Sequence, residues 1–220
     1  MVKKTEQREA SIEKLRQAAR RLFVAQGYHS TTLEEIAAAA GLTKGAVYFY
    51  FGSKSAVLVD LLGLVQSHVV GPMSEAVKAA GPAATDKLVA FLHNQATLGI
   101  THRDEVLLLI LMSLELGGRD AKVSDCIAGI YRRLQQFVER LIRHGQRSGE
   151  FRRDLPVKEL AAVVMANHDG TFLEWHRRSA ELDGRKLVRA LRSLVLQGLQ
   201  RPAADRLVLR DASPTRHASE

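Results

Sequence analysis

The sequence predicts an all-α protein, and three observations support that prediction. Apolar residues recur at helical spacing along most of the chain, whereas no stretch after residue 83 alternates β-branched and polar residues as a strand would. Glycine and proline punctuate the periodic segments. Residues 32–54 read as two short helices joined by a tight turn. With 220 residues, 46% of them hydrophobic, the chain has the composition of a globular protein.

The remaining helices follow from the same periodicity. They are predicted at 5–26, 54–79, 84–100, 104–117, 120–148, 156–182 and 184–200. Gly71-Pro72 is expected to kink or break the 54–79 helix, because proline cannot donate to the helical ladder. The run Val106–Met112 is apolar all round, which predicts a helix buried on every side. Residues 201–220 lose the periodicity and are predicted to form a mobile tail.

Residues 32–54 carry the signals of a helix-turn-helix. Thr32 and Glu35 form a capping-box pattern at the start of the first helix. Gly41 stands where a helix ends in a left-handed residue, a conformation that glycine adopts without steric cost. Thr43 is a plausible N-cap for a second helix, Lys44–Phe51. Such a second helix is presented to the DNA major groove in helix-turn-helix proteins.

The outward positions of the second helix suit a DNA contact, because they are small, basic or hydroxyl-bearing. These positions are Lys44, Gly45, Ala46, Tyr48 and Tyr50. An ordinary helical hairpin would explain Gly41 and the apolar positions equally well. It would not explain two outward tyrosines beside Lys44 and Lys54. The residues therefore favour double-stranded DNA as the partner.

The charge balance agrees with a polyanionic partner. The net charge is +8 and the isoelectric point about 9.9. Residues 1–54 hold nine basic and five acidic side chains, so about half of the excess lies in the first quarter of the chain. The single cysteine, Cys126, excludes an internal disulfide and fits a reducing cytoplasm. No window reaches about 18 apolar residues without a charge, so no membrane-spanning segment and no membrane partner are predicted.

The last two predicted helices, within residues 156–200, each carry an apolar stripe. The stripe of the final helix includes Leu187, Leu191, Leu194 and Val195. Both stripes could simply close the core, or they could pair with a second copy as a four-helix interface. A homodimer is favoured, because one helix-turn-helix binds weakly whereas two read half-sites about one DNA turn, roughly 34–36 Å, apart.

No catalytic motif stands out, so neither an enzyme, a cofactor nor a metal site is predicted. The polar cluster Asn167-His168-Asp169 lies in an apolar setting, and a satisfied core or interface histidine is favoured over a metal ligand there. Polar residues within apolar helices could also anchor an unknown small-molecule effector. The candidates are His93, Asn94, Met112, Glu115, Cys126, Asn167, His168 and Trp175.

The helix-turn-helix residues resemble the signature of the TetR (tetracycline-repressor) family of bacterial transcriptional regulators. The matching pattern is Thr32-x-x-x-Ile36-Ala37-x-x-Ala40-Gly41-Leu42-Thr43-Lys44-Gly45-x-Val47-Tyr48-x-Tyr50-Phe51-x-x-Lys54. The resemblance is strong over about the first 60 residues. The remaining 160 residues are similar only in helical layout.

The resemblance implies an all-α homodimer of about nine helices. Residues 1–54 would bind DNA, residues 55–79 would form a connecting helix, and the whole of 55–200 would bind ligand and dimerise. By residue-wise carry-over, Lys44, Gly45 and Ala46 resemble base-facing positions. The positions that resemble phosphate contacts are Thr32, Thr43, Tyr48, Tyr50 and Lys54.

A protein of this kind would be a repressor that leaves a palindromic operator when a small ligand binds. Ala46 lacks the hydroxyl that is frequent at its position in the family, so only a methyl group is available there, for example to thymine. A rival hypothesis is a helical small-molecule carrier or enzyme whose N-terminal hairpin is purely structural. The outward set of Lys44, Tyr48, Tyr50 and Lys54 argues against it.

Overall fold

The computed structural model describes residues 2–116 and 120–200, and most of them are helical. The predicted tail, 201–220, lies outside the described residues. The helices are α1 Val2–Gln26, α2 Leu33–Ala39, α3 Lys44–Phe51, α4 Lys54–Val65, a π-helical turn Gln66–Val70, α5 Met73–Ala79, α6 Ala84–Thr101, α7 Arg103–Glu115, α8 Ala121–Ser148, α9 Val157–Arg177 and α10 Gly184–Leu199. The described residues contain no strand beyond one isolated bridge, between Phe151 and Gln200. The all-α prediction is confirmed.

Two helices end earlier than the sequence predicted. α7 stops at Glu115 rather than 117, because Leu116 leaves helical geometry at φ −108° and ψ 8°. α9 stops at Arg177 rather than 182. The chain turns after Arg177, and Asp183 then caps α10. The Asp183 side chain accepts hydrogen bonds from the amides of Arg185 and Lys186. Helical periodicity alone does not predict where these two helices end, because it does not report the local turn and cap geometry.

The connecting helix is interrupted where Gly71-Pro72 predicted it. The π turn is closed by the Gly71 amide, which donates to the Gln66 carbonyl over 3.1 Å, and Pro72 has no amide with which to continue the ladder. A Cβ at Gly71 would lie 2.6 Å from the Ser67 carbonyl oxygen, so the turn requires glycine. If α4, the π turn and α5 are taken as one interrupted helix, the described residues contain nine helices, as predicted.

By length and composition, the segment Lys54–Ala79 could cross a membrane. Several of its apolar side chains are instead buried in the protein core, namely those of Val57, Leu58, Leu61, Leu62 and Val65. Asp60 of the same segment forms a two-point hydrogen bond with Arg16. This is the pattern of a core helix.

One of the two compact units comprises residues 1–76 and 93–134. In it, α1 packs against α2, α4 and α7, and α4 also packs against α7. The α7 run Val106–Ile110 is buried and Met112 is fully so, which confirms the predicted core helix; Leu111 alone is half-exposed. The predicted DNA-binding segment 1–54 lies wholly within this unit.

The other unit comprises residues 77–92 and 135–220, of which those up to 200 are described. Here α9 packs along α10, and the rings of Phe91 and Phe137 lie 5.9 Å apart. The link between α8 and α9 is tightly packed, because Phe151 is fully buried and a Cβ at Gly145 would come within 2.1 Å of its ring. Glu150 reaches the start of α6, where it accepts hydrogen bonds from the amides of Ala84 and Thr85.

Candidate DNA-binding site

The two helix starts of the helix-turn-helix are capped as the sequence predicted. The Thr32 hydroxyl accepts from the Glu35 amide over 3.2 Å, and the Glu35 carboxylate accepts from the Thr32 amide over 2.8 Å. At α3 the Thr43 hydroxyl accepts from the Ala46 amide over 3.3 Å. Gly41 has φ +66°, the left-handed conformation expected between the helices. The capping box, the turn and the second cap are confirmed.

The two helices meet through small and apolar side chains. Ile36 and Val47 are fully buried and Ala37 nearly so, while Leu42 is half-buried at the turn. The Leu42 amide donates to the Ala37 carbonyl over 2.9 Å, which closes the turn against α2. This packing fixes α3 with the opposite face directed away from α2.

The exposed face of α3 carries most of the predicted contact residues. Lys44 and Gly45 are exposed and Ala46 is half-exposed. Tyr48 is exposed, with half of its surface accessible to solvent, whereas Tyr50 is partly buried. The prediction missed Phe49, whose side chain is 78% exposed on the same helix. An aromatic residue between two tyrosines gives no periodic signal of its own, so only the geometry identifies it.

Lys44 already has a partner on α2. Its ammonium forms an ion pair with the exposed Glu34 carboxylate, and it lies 5.7 Å from the centre of the Tyr48 ring. The hydrogen bond between the two side chains raises the pKa of Lys44 and lowers the pKa of Glu34. In this structure Glu34 therefore balances the charge of Lys44 locally.

Lys54 holds the connector between α1 and α2. Its ammonium donates to the carbonyls of Tyr28 and Thr31, each over 2.8 Å, and lies 4.4 Å from the centre of the Tyr28 ring. Burial lowers the pKa of Lys54, although the nearby carboxylates of Glu115 and Glu35 oppose that shift. Lys54 is therefore a positioning residue for the connector in this structure.

Glu115 also binds the connector, through backbone amides rather than carbonyls. Its carboxylate accepts from the Tyr28 amide over 2.9 Å and from the His29 amide over 2.7 Å. Glu115 was predicted as a pocket residue, and together with Met112 it does line an open cavity of about 350 Å³ between α1 and α7. Its oxygens, however, are occupied by backbone donors. α7 therefore contacts the segment that leads into the helix-turn-helix.

The other predicted pocket residues differ in burial and in their partners. His93 is exposed, and the Asn94 side-chain nitrogen is buried without a hydrogen-bond partner among the described residues. Cys126 is half-buried, and burial raises the pKa of its thiol. Asn167 donates to the Val163 carbonyl of its own helix over 2.8 Å.

His168 and Trp175 also lie on α9. His168 is paired with Asp169 over 2.9 Å, which agrees with the favoured interpretation of a satisfied histidine. The Trp175 ring lies 6.3 Å from that of Phe172. A polar residue that the sequence analysis missed is Gln95, which is 4% exposed and whose side-chain nitrogen has no partner among the described residues.

Taken together, the fold and the exposed, capped α3 define a helix-turn-helix regulator. The chain belongs to the TetR family: residues 15–61 match the family model for bacterial regulatory proteins of the tetR family. Residues 84–200 match the model for the C-terminal part of BetI-type transcriptional repressors. It is therefore a DNA-binding transcriptional regulator, and the resemblance inferred from the signature is confirmed.

Individual relatives agree with this assignment. The solved structure of the MbdR regulator from Azoarcus sp. CIB is 46% identical with a TM-score of 0.79, over 86% of this chain and 98% of that one. The transcriptional repressor BepR of Brucella suis is 27% identical over 84% of this chain and 90% of its own. A similar fold, at 23% identity and a TM-score of 0.71 over 86% and 99% of the chains, occurs in the regulator FadR from Bacillus subtilis in complex with stearoyl-CoA.

Proposed function

We propose that this protein represses transcription as a homodimer bound to a palindromic operator, and that a small-molecule effector releases it. The exposed face of α3, with Lys44, Tyr48 and Tyr50 around a capped N-terminus, is the observation that supports the operator contact. The proposals of an effector and of a dimer are supported by separate features of the C-terminal helices.

The contact residues fall into two groups. Lys44, Gly45 and Ala46 are the base-facing candidates, because they lie in the first turn of α3, the part of a recognition helix that meets base edges. The phosphate-contacting candidates are Thr32, Thr43, Tyr48, Tyr50 and Lys54. Thr43 accepts only one backbone bond and keeps its hydroxyl proton for a phosphate. Thr32 already donates to Glu35, and Lys54 already donates to the connector. The main contribution of both residues is therefore to shape the site.

The homodimer is proposed to form through α9 and α10. Val163 is 58% exposed and Leu194 is 68% exposed, although both are large and apolar. Around Leu194, the exposed residues Ala190 and Gly198 are small, so a second helix could approach closely. The buried side of α10, which includes Leu191 and Val195, is used within the chain itself.

The effector is proposed to bind among the C-terminal helices. It would be a molecule with an apolar body and a hydrogen-bond acceptor. The buried side-chain amides of Asn94 and Gln95 support an acceptor, because an unpaired buried donor costs about 1–3 kcal/mol. The FadR structure in complex with stearoyl-CoA makes acyl thioesters the first class to test. The regulator would act on DNA in the cytoplasm.

A gel-shift titration on the DNA upstream of the protein's own gene tests the operator contact. Lys44→Ala is expected to weaken specific binding by about 1–3 kcal/mol if Lys44 reads a base. Affinity should also fall steeply with salt, because lysine and arginine contacts displace counterions from DNA. Adding stearoyl-CoA to the same complex tests release.

Lys122→Ala is the matched control, since Lys122 is an exposed lysine on α8, outside the helix-turn-helix. It should leave operator affinity unchanged. Equal losses for Lys44→Ala on operator and random DNA would show that Lys44 contacts only phosphate. If the wild type binds no fragment, or binds without salt dependence, the proposed operator function is wrong.

A further inference from the structure

Three side chains with metal-binding atoms converge away from the DNA-reading helix. They are His68, His102 and Glu105, and one ligand atom from each lies within 4.8 Å of the others. The His68 Nδ1 is 3.1 Å from the Glu105 Oε2, and the two imidazole rings are 5.2 Å apart. In a tetrahedral zinc site, neighbouring ligand atoms are roughly 3.3 Å apart. The distance between the His68 and Glu105 ligand atoms therefore already has the required length, and the His102 ligand atom lies within 4.8 Å of both.

The fold brings these residues together from distant parts of the chain. His68 lies in the π turn, a feature that is frequent at functional sites. His102 stands between α6 and α7 with φ −127° and ψ 37°, and Glu105 lies in the first turn of α7. A separation of 34 residues between the two histidines left no spacing motif, which is why the sequence analysis predicted no metal site.

The surrounding contacts orient the three groups. Arg20 donates to the Glu105 Oε1 over 2.9 Å, and the His68 Nδ1 lies 3.3 Å from that oxygen and 3.1 Å from the Oε2. The Thr101 hydroxyl lies 2.9 Å from the His102 Nδ1, which leaves the Nε2 for a ligand. Such outer contacts fix the ring and carboxylate orientation in known metal sites. Arg20 also places a positive charge beside the carboxylate, which reduces the affinity for a cation.

The donor types favour zinc. Two imidazoles and one carboxylate form a nitrogen–oxygen set that suits Zn²⁺. The Glu105 side chain is 8% exposed, whereas that of His68 is 44% exposed, so the site has a buried anchor and an open side for water. A simple polar network of Arg20, Glu105 and His68 would explain those three residues. It would not explain why His102 faces them.

We propose that His68, His102 and Glu105 bind one Zn²⁺ per chain, with the remaining coordination position open to water. The ion would join the π turn of the connecting helix to the junction of α6 and α7. The site is independent of the operator and effector contacts, since none of its three ligands belongs to them.

Calorimetric titration of the chelator-treated full-length protein with Zn²⁺ tests this proposal. The wild type is expected to bind one ion per chain, and His102→Ala should lower the affinity at least about tenfold. Co²⁺ should give the visible absorption of a four-coordinate nitrogen–oxygen site in the wild type only. His144→Ala, which removes a histidine of the other unit, should bind like the wild type.

The absence of saturable Zn²⁺ binding to the wild type would overturn the proposal, as would equal affinity in His102→Ala. Thermal unfolding of the metal-free variants verifies that they are folded. If His102→Ala does not fold, His68→Gln replaces it, because His68 lies largely at the surface. The same loss of at least about tenfold is then expected, and unchanged affinity rejects the site.

Discussion

At the scale of single residues, the connector between α1 and α2 is held by two opposite charges. The Lys54 ammonium binds carbonyls of residues 28–31, and the Glu115 carboxylate binds the amides of Tyr28 and His29. Each charge is thus offset by peptide dipoles of the same short segment. Because α2 begins immediately after this connector, both side chains help to set where the helix-turn-helix starts.

Replacing Glu115 by glutamine should lower the free energy of unfolding by about 1–2 kcal/mol. Glutamine retains one acceptor oxygen, but its NH₂ group would face the second backbone amide, and bonds to a charged acceptor are the stronger kind. Urea unfolding of the variant measures the loss. Glu174→Gln, which removes a surface ion-pair partner of Arg177 and Arg178, should change stability by less than about 1 kcal/mol. Equal losses would show that the connector contact is dispensable.

Local sequence signals predicted the residue-level features that depend on neighbours in the chain. The caps at Thr32 and Thr43 and the turn at Gly41 need only adjacent residues, and all three are confirmed. The contacts of Lys54 and Glu115 depend on tertiary packing, and no local pattern specifies them. The same limit explains why Glu105 and its partners were not predicted.

At the scale of helices, the prediction succeeded where glycine, proline or a cap acts on its own helix. The Gly71-Pro72 interruption is of this kind, although the π turn that precedes it was not predicted. Glu150 illustrates a contact that could not be predicted from its own helix. It caps α6 from 65 residues away, accepting hydrogen bonds from the amides of Ala84 and Thr85. Capping across such a distance leaves no trace in helical periodicity.

The Glu150 cap should make stability depend on pH. Burial alone would raise the pKa of Glu150, but the amides of Thr85 and Ala84 and the Ser148 hydroxyl together lower it from 4.5 to about 2. Since the folded pKa lies below the unfolded one, the contribution is complete above pH 4.5 and is lost as pH falls toward 2. We expect Glu150→Gln to cost roughly 1–2 kcal/mol at pH 7, allowing for solvent screening of a partly exposed group.

Urea unfolding at several pH values between 7 and 3 measures this difference. The gap between wild type and Glu150→Gln should narrow as the medium becomes more acidic. Glu9→Gln, an exposed position on α1, serves as the control and should give no such trend. A gap that stays constant with pH would show that the carboxylate charge is not responsible for the cap.

At the scale of the whole molecule, the compact units combine segments that are distant in the chain, while the functional division into 1–54 and 55–200 stays a prediction. Residues 93–134, from the C-terminal part of the chain, group with the DNA-binding segment. The sequence division followed the order of motifs along the chain, whereas compact units follow contacts. α7 provides such contacts, because it packs along α1 and α4.

Leu194→Asp tests the proposed dimer. An aspartate at this exposed site should leave the chain folded but make the apolar interface unfavourable, because a charge would be buried there. Sedimentation at micromolar concentration should change from dimer to monomer, and operator affinity should fall at least about tenfold, or 1.4 kcal/mol. Ile100→Asp, at an exposed apolar site on α6, should remain dimeric. A dimeric Leu194→Asp protein would place the interface elsewhere.

The ion pair between Glu34 and Lys44 has a consequence for how the protein finds its target. While the pair is intact, Glu34 locally balances the charge of Lys44. If Lys44 contacts the operator as proposed, it then adds little to the attraction for random DNA. On that proposal, the acidic neighbour of α3 should shorten the time that the protein spends on non-cognate sequences.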